Sequence, residues 1–396
     1  MNLSPTLLLY RTGFAPTNGT SVQLERLLRG NGDKIIHVMW DSREGGNESV
    51  EWVVDTTVDS ARRTKLRGRI GRGYELFRSI AATSLWRMRW IYPTRLTDAI
   101  KSIPLRPIQA YISCYGEREA GHAYTLWEKL GRPPFAFHIF DIFDAPLSRE
   151  KTPNFLKLTQ IASHVICLNR LIELEVIRVG ATETSILPLC SDLMCAPRKY
   201  PGPGLKILIS GTLYRDDKKK NSALHLLIDA WSELERAHPR LELHYCGRSS
   251  WAIPEELKRR THDHGLLSWE AYLKLMHSCH VAFVPVAHQA RTRLQFSIPS
   301  RIPDYLASGL PVIASTVPNT AAHDFFETAP RECTRGVASA NELVSAFQQL
   351  SGACGRWEAA SLAALEYSVQ RFAIKPARNR LIELLNRAGT GTKGSQ

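Results

Sequence analysis

The stretch FSIPSRIPDYLASGLPVIAS, which spans residues 296–315, decides the fold of this chain. Its spacing predicts a loop, a short amphipathic helix, a glycine stop and a buried strand. Gly309 suits a helix C-terminus, where a residue in the left-handed conformation is often needed. The apolar run that follows Pro311 is typical of a parallel strand covered on both faces. The stretch therefore predicts a helix-to-strand unit of an α/β protein.

Two charged side chains, Arg301 and Asp304, lie near the start of this predicted helix. They lie one helical turn apart, beside backbone amides that have no partner within the helix. The cation and the amides can hold a diphosphate, and the carboxylate can hold a ribose diol. A capped helix with a solvated ion pair is the alternative that the spacing alone allows equally well.

This stretch resembles the donor-site motif of family 4 glycosyltransferases, which have the GT-B fold. In that family a basic residue, an acidic residue, an aromatic, a small residue, Gly, Pro and Val commonly follow in this order. The resemblance implies that Arg301 binds the donor diphosphate and that Asp304 binds the donor ribose. Two positions depart from the pattern: many members have Glu at position 304, and many have a further Glu where this chain has Phe296.

Strand-like and helix-like segments alternate along most of the 396 residues, which favours parallel α/β sheets. The resemblance implies a GT-B α/β fold, with two Rossmann-like domains facing each other across a cleft and a C-terminal helix crossing back to the first domain. A helix is expected over 254–261. The predicted units are an N-terminal acceptor-side domain (1–190), a Pro- and Gly-rich linker (191–204), a nucleotide-sugar-binding domain (205–370), a crossover helix (371–387) and a disordered tail (388–396).

Composition excludes several classes of protein. No run of about 20 apolar residues is long enough to span a membrane, and the first apolar run is too short for a signal peptide. The eight cysteines are scattered without a CxxC pair, which favours free thiols in the cytoplasm. Neither a GxGxxG loop nor a P-loop occurs, so we expect no cofactor besides the nucleotide-sugar substrate.

The segment 61–101 carries eleven Arg and Lys residues against two acidic ones, with five aromatic residues among them. Three interpretations are open: a solvated surface helix, an interfacial segment that contacts anionic lipid, and a nucleic-acid-binding segment. No recognised nucleic-acid motif supports the third. We therefore expect a peripheral protein at the inner face of the membrane, with an anionic membrane surface and no nucleic acid among its partners.

Two loops after predicted strands are candidates for binding the donor. In the loop 11–21, glycines allow close backbone approach, and the helix that follows offers amides to an anion. The loop 210–221 places several cations near a helix start, where the family commonly holds the diphosphate. The residues predicted here are Gly13, Asn18 and Gly19 in the first loop, and Arg215 and Lys220 in the second.

Two further segments complete the predicted site. His138 and Asp141 lie near a strand end where the family often has a His or Asp close to the acceptor hydroxyl, and they are the candidate catalytic residues; Tyr115, Glu117 and Glu119 follow a neighbouring strand. Gly265, Leu266 and Leu267 resemble the family's nucleobase-binding turn. His262 and His264 show no metal-ligand spacing and are interpreted as surface residues, so no metal is expected.

The resemblance implies a retaining, metal-independent transfer of a sugar from a nucleoside-diphosphate sugar to an acceptor hydroxyl. Arg and Lys side chains would neutralise the departing diphosphate. The basic segment favours a saccharide or lipid-linked acceptor, as in surface polysaccharide synthesis. Two alternatives stay open: a nucleotide-sugar epimerase of the same fold, and a binding protein without catalytic activity.

Overall fold

The structure is a computed structural model of the chain. It describes residues 6–10, 23, 26–27, 35–41, 50–55, 109–114, 116–129, 131–142, 145–211, 213, 224–247, 253–285, 295–351 and 354–390. The basic segment 61–101, the loop 11–21 and the site residues predicted at 115, 215 and 220 lie outside the described residues.

The first sheet contains seven strands in the order β3-β2-β1-β4-β5-β6-β7. All neighbouring strands run parallel except β2 and β3, which are antiparallel. The strands are β1 (Thr6–Tyr10), β2 (Ile35–Asp41), β3 (Val50–Asp55), β4 (Gln109–Ser113), β5 (Phe135–Ile139), β6 (His164–Cys167) and β7 (Thr184–Ile186). The described helices among them are α1 (Glu117–Lys129), α2 (Pro153–Ile161) and α3 (Arg170–Arg178).

The second sheet contains six parallel strands in the order β10-β9-β8-β11-β12-β13. They are β8 (Leu205–Ser210), β9 (Leu241–Cys246), β10 (Thr261–Asp263), β11 (Val281–Val284), β12 (Val312–Ser315) and β13 (Thr334–Val337). The helices are α4 (His225–Ala237), α5 (Glu255–Lys258), α6 (Trp269–Ser278), α7 (Ile302–Ala307), α8 (Ala321–Thr328), α9 (Ala340–Ser351) and α10 (Cys354–Arg371). Both sheets have the strand order of doubly wound α/β proteins, which confirms the predicted Rossmann-like architecture.

Helix α7 and strand β12 form the unit that the opening stretch predicts. Gly309 has φ of +71°, and the residue before it ends the helix. A Cβ atom at this position would lie 2.8 Å from the Ser361 hydroxyl, so glycine also allows α10 to pack closely against the turn. Each residue of β12 is buried, as expected of a central strand covered on both faces.

The last helix, α11 (Ile374–Thr390), returns to the first sheet and contacts β4, β5 and β6. Five of its side chains belong to the hydrophobic core of the N-terminal half, namely Leu381, Ile382, Leu384, Leu385 and Ala388. The predicted crossover helix is therefore confirmed. The tail predicted from 388 is wrong at its start, because the buried Ala388 keeps the helix packed and regular through residue 390.

The two chain crossings between the halves run side by side. The Ser191 amide donates to the Phe372 carbonyl over 2.8 Å, and Ser191 and Ala373 form an isolated parallel bridge. A hydrogen-bonded pair of crossing segments thus connects the two sheets at one point.

Several helices and strands of the structure differ from those predicted from the sequence. The helix predicted over 254–261 is the four-residue α5, because Thr261 already pairs with Leu243 as the first residue of β10. Strands β3, β10 and β13 and helix α8 were not predicted. Strands β10 and β13 have only three and four residues, which is too few for a periodicity of apolar positions to show.

Replacement of a core side chain in α11 tests the crossover packing. Leu384 is fully buried, so Leu384→Ala should lower the free energy of unfolding by about 2–5 kcal/mol. Urea denaturation measures this loss. Leu362→Ala in α10 is the control, since Leu362 is 46% exposed and should change stability by less than about 0.5 kcal/mol. Equal losses in the two variants would contradict the assignment of α11 to the core.

Candidate active site

Three glycines follow three neighbouring strands of the second sheet: Gly211 after β8, Gly247 after β9 and Gly265 after β10. We call them the strand-end glycines. The Gly211 amide donates to the Cys246 carbonyl over 2.8 Å, and the Gly247 amide donates to the Gly265 carbonyl over 2.9 Å. The three loops that begin here are therefore held together through backbone hydrogen bonds at the carboxyl edge of the sheet.

Side chains would not fit at two of these positions. A Cβ atom at Gly247 would lie 2.2 Å from the Gly211 carbonyl oxygen, and one at Gly211 would lie 2.1 Å from Nη1 of Arg301. Gly211 also has φ of +95°, a conformation that other residues rarely adopt. The absence of side chains thus lets Arg301 and the strand-end loops pack closely against one another at this edge.

Arg301 lies with its guanidinium against Gly211, as the Cβ distance shows. Its Nε atom is buried and has no hydrogen-bond partner among the described residues. Within the same residues, no carboxylate forms an ion pair with Arg301. The cation therefore lies at the start of the loop 210–221 without a described anionic partner, which is where the sequence predicted the donor diphosphate.

Asp304 is buried and faces away from Arg301. It accepts a hydrogen bond from Nη2 of Arg26, with Nη2–Oδ2 at 3.1 Å, and its Oδ1 lies 2.9 Å from Nη1 of Arg26 in the same ion pair. The Ser191 hydroxyl donates to Oδ1 over 2.6 Å. The alternative of a solvated ion pair with Arg301 is thus wrong, because the carboxylate is paired with the other half of the molecule.

Arg26 connects several segments. Its Nε lies 2.9 Å from Oδ1 of Asp192, and its Nη1 donates to the Cys190 carbonyl. Burial opposes the charge on Arg26, but the carboxylates of Asp304 and Asp192 outweigh it and raise the pKa of Arg26 above its ordinary value. We call Arg26, Ser191, Asp192 and Asp304 the Arg26 cluster. No local pattern indicates this cluster, because Arg26, the pair Ser191–Asp192 and Asp304 are more than a hundred residues apart from one another along the chain.

Asp141 follows β5 and is only 8% exposed. Burial raises the pKa of Asp141 to about 7, although the Ile142 amide and the Ser297 side chain both donate to the carboxylate. Ser297 belongs to the segment that leads into α7, so Asp141 lies where the two halves meet. The predicted catalytic group is therefore a carboxyl group that can change protonation near neutral pH.

His138 is fully buried within β5. Its ring stacks on Phe140 at 4.0 Å, its Nδ1 is hydrogen bonded to the Tyr111 hydroxyl, and its Nε2 has no partner among the described residues. Burial lowers the pKa of His138 to about 3, so the imidazole is neutral at physiological pH. This placement favours Asp141 over His138 as the group that faces the acceptor.

Glu117 has a structural partner in place of a ligand. Its carboxylate accepts hydrogen bonds from the backbone amides of Asn154 and Phe155, each over 3.1 Å, and so caps the start of α2. Glu119 is 7% exposed inside α1. The Glu117 carboxylate therefore holds the start of α2, and a contribution of Glu117 or Glu119 to the reacting face stays a prediction.

Phe296, which stands where many family members have Glu, is 5% exposed and packs in the N-terminal hydrophobic core. The Asn169 side chain donates to the Phe296 carbonyl over 2.7 Å. The segment before α7 is therefore an interdomain contact. The Phe296 side chain packs between the two halves.

The turn Gly265–Leu267 lies at the same edge as Gly247. Leu266 is 59% exposed, so its side chain is open to a ligand. The Gly265 amide donates to Oδ1 of Asp263, and the Gly265 carbonyl accepts from Gly247, so these two backbone groups hold the turn itself. The remaining predicted site residues, Gly13, Asn18, Gly19, Arg215 and Lys220, lie outside the described residues.

The second sheet and its loops match a known protein family. The sequence model of the family described as Glycosyl transferases group 1 matches residues 191–351, which include β8 to β13, the strand-end glycines, Arg301 and Asp304. Residues 191–351 form a group 1 glycosyl transferase domain. The matched domain is therefore a glycosyltransferase domain, as the resemblance in its sequence implied. No curated protein sequence matches it significantly.

Solved structures share the fold over nearly the whole chain. Alr3699/HepE of Anabaena, in complex with UDP and glucose, has a TM-score of 0.62 at 14% identity and covers 96% of this chain and 99% of its own. Sucrose-phosphate synthase of Thermosynechococcus elongatus has a TM-score of 0.58 at 15% identity, covering 96% and 98%. An E. coli structure described as trehalose-6-phosphate bound with UDP-2-fluoro glucose has a TM-score of 0.60 at 12% identity, covering 97% and 98%. These likenesses confirm the GT-B fold.

The raised pKa of Asp141 makes a prediction about stability. Between pH 4 and 7 the unfolded chain loses this proton while the folded chain keeps it, so this group's contribution to stability falls as pH rises. Asp141→Asn should remove this pH-dependent decrease in the free energy of unfolding, because Asn has no proton to lose. Relative to wild type, the variant should gain up to about 4 kcal/mol in unfolding free energy between pH 4 and pH 8.

Denaturant unfolding at both pH values measures this difference. Asp229→Asn is the control, because the Asp229 side chain is 46% exposed and should show no such pH-dependent gain. A stability difference between Asp141→Asn and wild type that is the same at pH 4 and pH 8 would refute the buried, protonated carboxyl.

Proposed function

We propose that this protein transfers a sugar from a nucleoside-diphosphate sugar to an acceptor hydroxyl, with retention of anomeric configuration and without a metal ion at the diphosphate. The acceptor is a lipid-linked saccharide in surface polysaccharide synthesis. The protein works in the cytoplasm, as a peripheral protein at the inner face of the membrane.

The observation that carries this proposal is the guanidinium of Arg301 against Gly211 within the glycosyl transferase domain. A cation without a described carboxylate partner at the carboxyl edge of the sheet suits a diphosphate, since charge-assisted hydrogen bonds to phosphate are about twice as strong as neutral ones. Arg215 and Lys220 would add charge from the loop that begins at Gly211.

The chemistry follows from this charge. As the bond between the sugar's anomeric carbon and the phosphate oxygen breaks, negative charge develops on the departing diphosphate, and Arg301 stabilises it there. The acceptor oxygen forms its new bond on the same face, and its proton passes to the departing phosphate oxygen. Asp141, at the end of β5, orients the acceptor hydroxyl.

Asp304 keeps its proposed contact with the ribose. A carboxylate offers about four acceptor positions. Hydrogen bonds from Nη2 of Arg26 and from Ser191 take two of them, and Nη1 of Arg26 lies 2.9 Å from Oδ1 as an ion-pair contact. At least one position remains for a ribose hydroxyl. Donor binding would then add a hydrogen bond to a carboxylate that already joins the two halves.

The membrane part of the proposal rests on the basic aromatic segment 61–101. Among the described residues, no helix is long and apolar enough to cross a bilayer. Surface attachment through Arg side chains at lipid phosphates would bring the acceptor to the protein.

The function is tested by incubating the full chain with UDP-, GDP- or ADP-sugars labelled in the sugar, with and without a prenyl-diphosphate-linked saccharide. UDP-sugars come first because two similar structures hold UDP or a UDP-sugar analogue. Label in the lipid-linked product, unaffected by added Mg²⁺ or Mn²⁺, supports the proposal. An altered sugar formed without acceptor indicates an epimerase, and binding without turnover indicates a binding protein.

Removal of the Arg301 side chain should weaken nucleoside diphosphate binding far more than nucleoside binding. A charge-assisted contact contributes about 1.5–3 kcal/mol, so Arg301→Ala should raise the dissociation constant of UDP roughly tenfold to a hundredfold. Calorimetric titration with UDP and uridine measures both affinities.

Arg331→Ala is the matched control, because the Arg331 side chain is 73% exposed and pairs only weakly with Glu327 at 3.7 Å. Its UDP affinity should equal that of wild type. If Arg301→Ala weakens uridine and UDP binding equally, the diphosphate assignment of Arg301 fails.

The basic segment predicts binding to anionic vesicles. Each basic residue near such a surface contributes about 1 kcal/mol, so the protein should sediment with phosphatidylserine vesicles and stay free of phosphatidylcholine vesicles. Salt at 1 M should release it, because the Debye length falls to about 3 Å.

Replacement of Arg62, Arg63, Arg67, Arg69 and Arg72 by Gln should reduce vesicle binding and leave UDP affinity unchanged. Equal binding to anionic and neutral vesicles would instead support the interpretation of this segment as a solvated surface helix. Preference for RNA over vesicles would indicate the nucleic-acid alternative instead.

A further inference from the structure

Four metal-ligating side chains lie together on one face of the second sheet, at its β10 edge. Glu242 and His244 are two positions apart on β9. His262 lies on β10, and His264 follows two positions later, just beyond the end of that strand. His262 stands directly opposite His244 in the parallel register. Because alternate residues of a strand share a face, the pairing of β9 with β10 collects all four side chains.

Three ligand atoms converge within this group. Nε2 of His244 lies 3.1 Å from Oε2 of Glu242, and Nε2 of His262 lies 3.9 Å from the same oxygen. One ligand atom from each of the three residues lies within 4.8 Å of the other two. Tetrahedral zinc with bonds of 2.0–2.1 Å separates its ligand atoms by roughly 3.3 Å, so small side-chain movements suffice.

His264 contacts the ring nitrogen of His244 that does not face the three converging ligand atoms. Its Nε2 lies 3.0 Å from Nδ1 of His244, the ring nitrogen that faces away from Glu242. Metal-bound histidines almost always have such a partner on the second ring nitrogen, which fixes the tautomer and the ring orientation. His244 is thereby presented with Nε2 toward the common centre.

We propose that Glu242, His244 and His262 bind a divalent transition metal ion, best suited to Zn²⁺, with His264 as the supporting hydrogen-bond partner. Two imidazoles and one carboxylate match zinc chemistry. The side chains of His262 and Glu242 are 56% and 36% exposed, so the ion is reached from solvent and keeps a water ligand.

The ion would fasten the edge strand β10 to β9, next to the strand-end glycine Gly265. Lys206 is the competing partner, since its Nζ lies 3.8 Å from Oε2 of Glu242. The sequence interpretation of His262 and His264 as plain surface residues missed this group. Their partners on β9 lie about twenty positions earlier and become neighbours only through sheet pairing. The site is independent of the proposed sugar transfer.

The test uses the full chain without a histidine tag, stripped of metal by a chelator that is then removed. Titration with Zn²⁺ against a competing indicator should show one ion per chain, not displaced by millimolar Mg²⁺. Co²⁺ in place of Zn²⁺ should give visible absorption bands. His262→Ala should weaken Zn²⁺ binding at least a hundredfold and abolish those bands.

His225→Ala is the matched control. His225 is also an exposed histidine beside a carboxylate, at 57% side-chain exposure and 3.4 Å from Asp229, and its loss should leave Zn²⁺ affinity unchanged. Glu242→Gln provides a second variant, with circular dichroism confirming that each variant folds. Absence of stoichiometric Zn²⁺ binding, or equal affinity in folded His262→Ala or Glu242→Gln and wild type, would overturn the proposal.

Discussion

The buried ion pair between Arg26 and Asp304 is the interaction on which the arrangement of this molecule depends. It joins a helical residue of the N-terminal half to the first turn of α7 in the C-terminal half. Ser191 contributes from the linker, and Arg378 of α11 donates to the Arg26 carbonyl over 2.6 Å. Two buried charges are stable only when fully paired, so these four segments hold one relative position.

This constraint explains how one stretch reaches both the N-terminal core and the carboxyl edge of the second sheet. Residues 296–304 pass from the N-terminal core, where Phe296 is buried, to the strand-end glycines, where Arg301 lies. A Glu at position 296 would place a carboxylate inside that apolar core, which is unfavourable without a partner. The departure from the family pattern is therefore a change from a polar contact to a packing contact between the halves.

The sequence predicted the parts of the fold that local patterns specify. Helix α7, its stop at Gly309 and strand β12 follow from capping chemistry and apolar periodicity within twenty residues. Arg301 lies beside the start of the loop that begins at Gly211, and its contact with the donor diphosphate stays a prediction.

The rest needed contacts between distant residues. Nothing near Arg26 in the chain indicates Asp304, which is 278 positions away. His262 of β10 meets the other residues of the proposed metal site only through the pairing of β10 with β9. His138 has a sequence neighbourhood like that of Asp141, yet burial makes one a neutral core group and the other a titratable carboxyl group. Burial of this kind depends on packing that no local pattern encodes.

A double-mutant cycle between Arg26 and Asp304 tests the central claim most directly. Arg26→Met and Asp304→Asn should each lower the unfolding free energy by about 3–5 kcal/mol, because each leaves a buried polar group without its partner. The double variant should lose at least about 1 kcal/mol less than the sum of the single losses. Losses that add within about 0.5 kcal/mol would contradict the account, since the two side chains would then not stabilise the structure through each other.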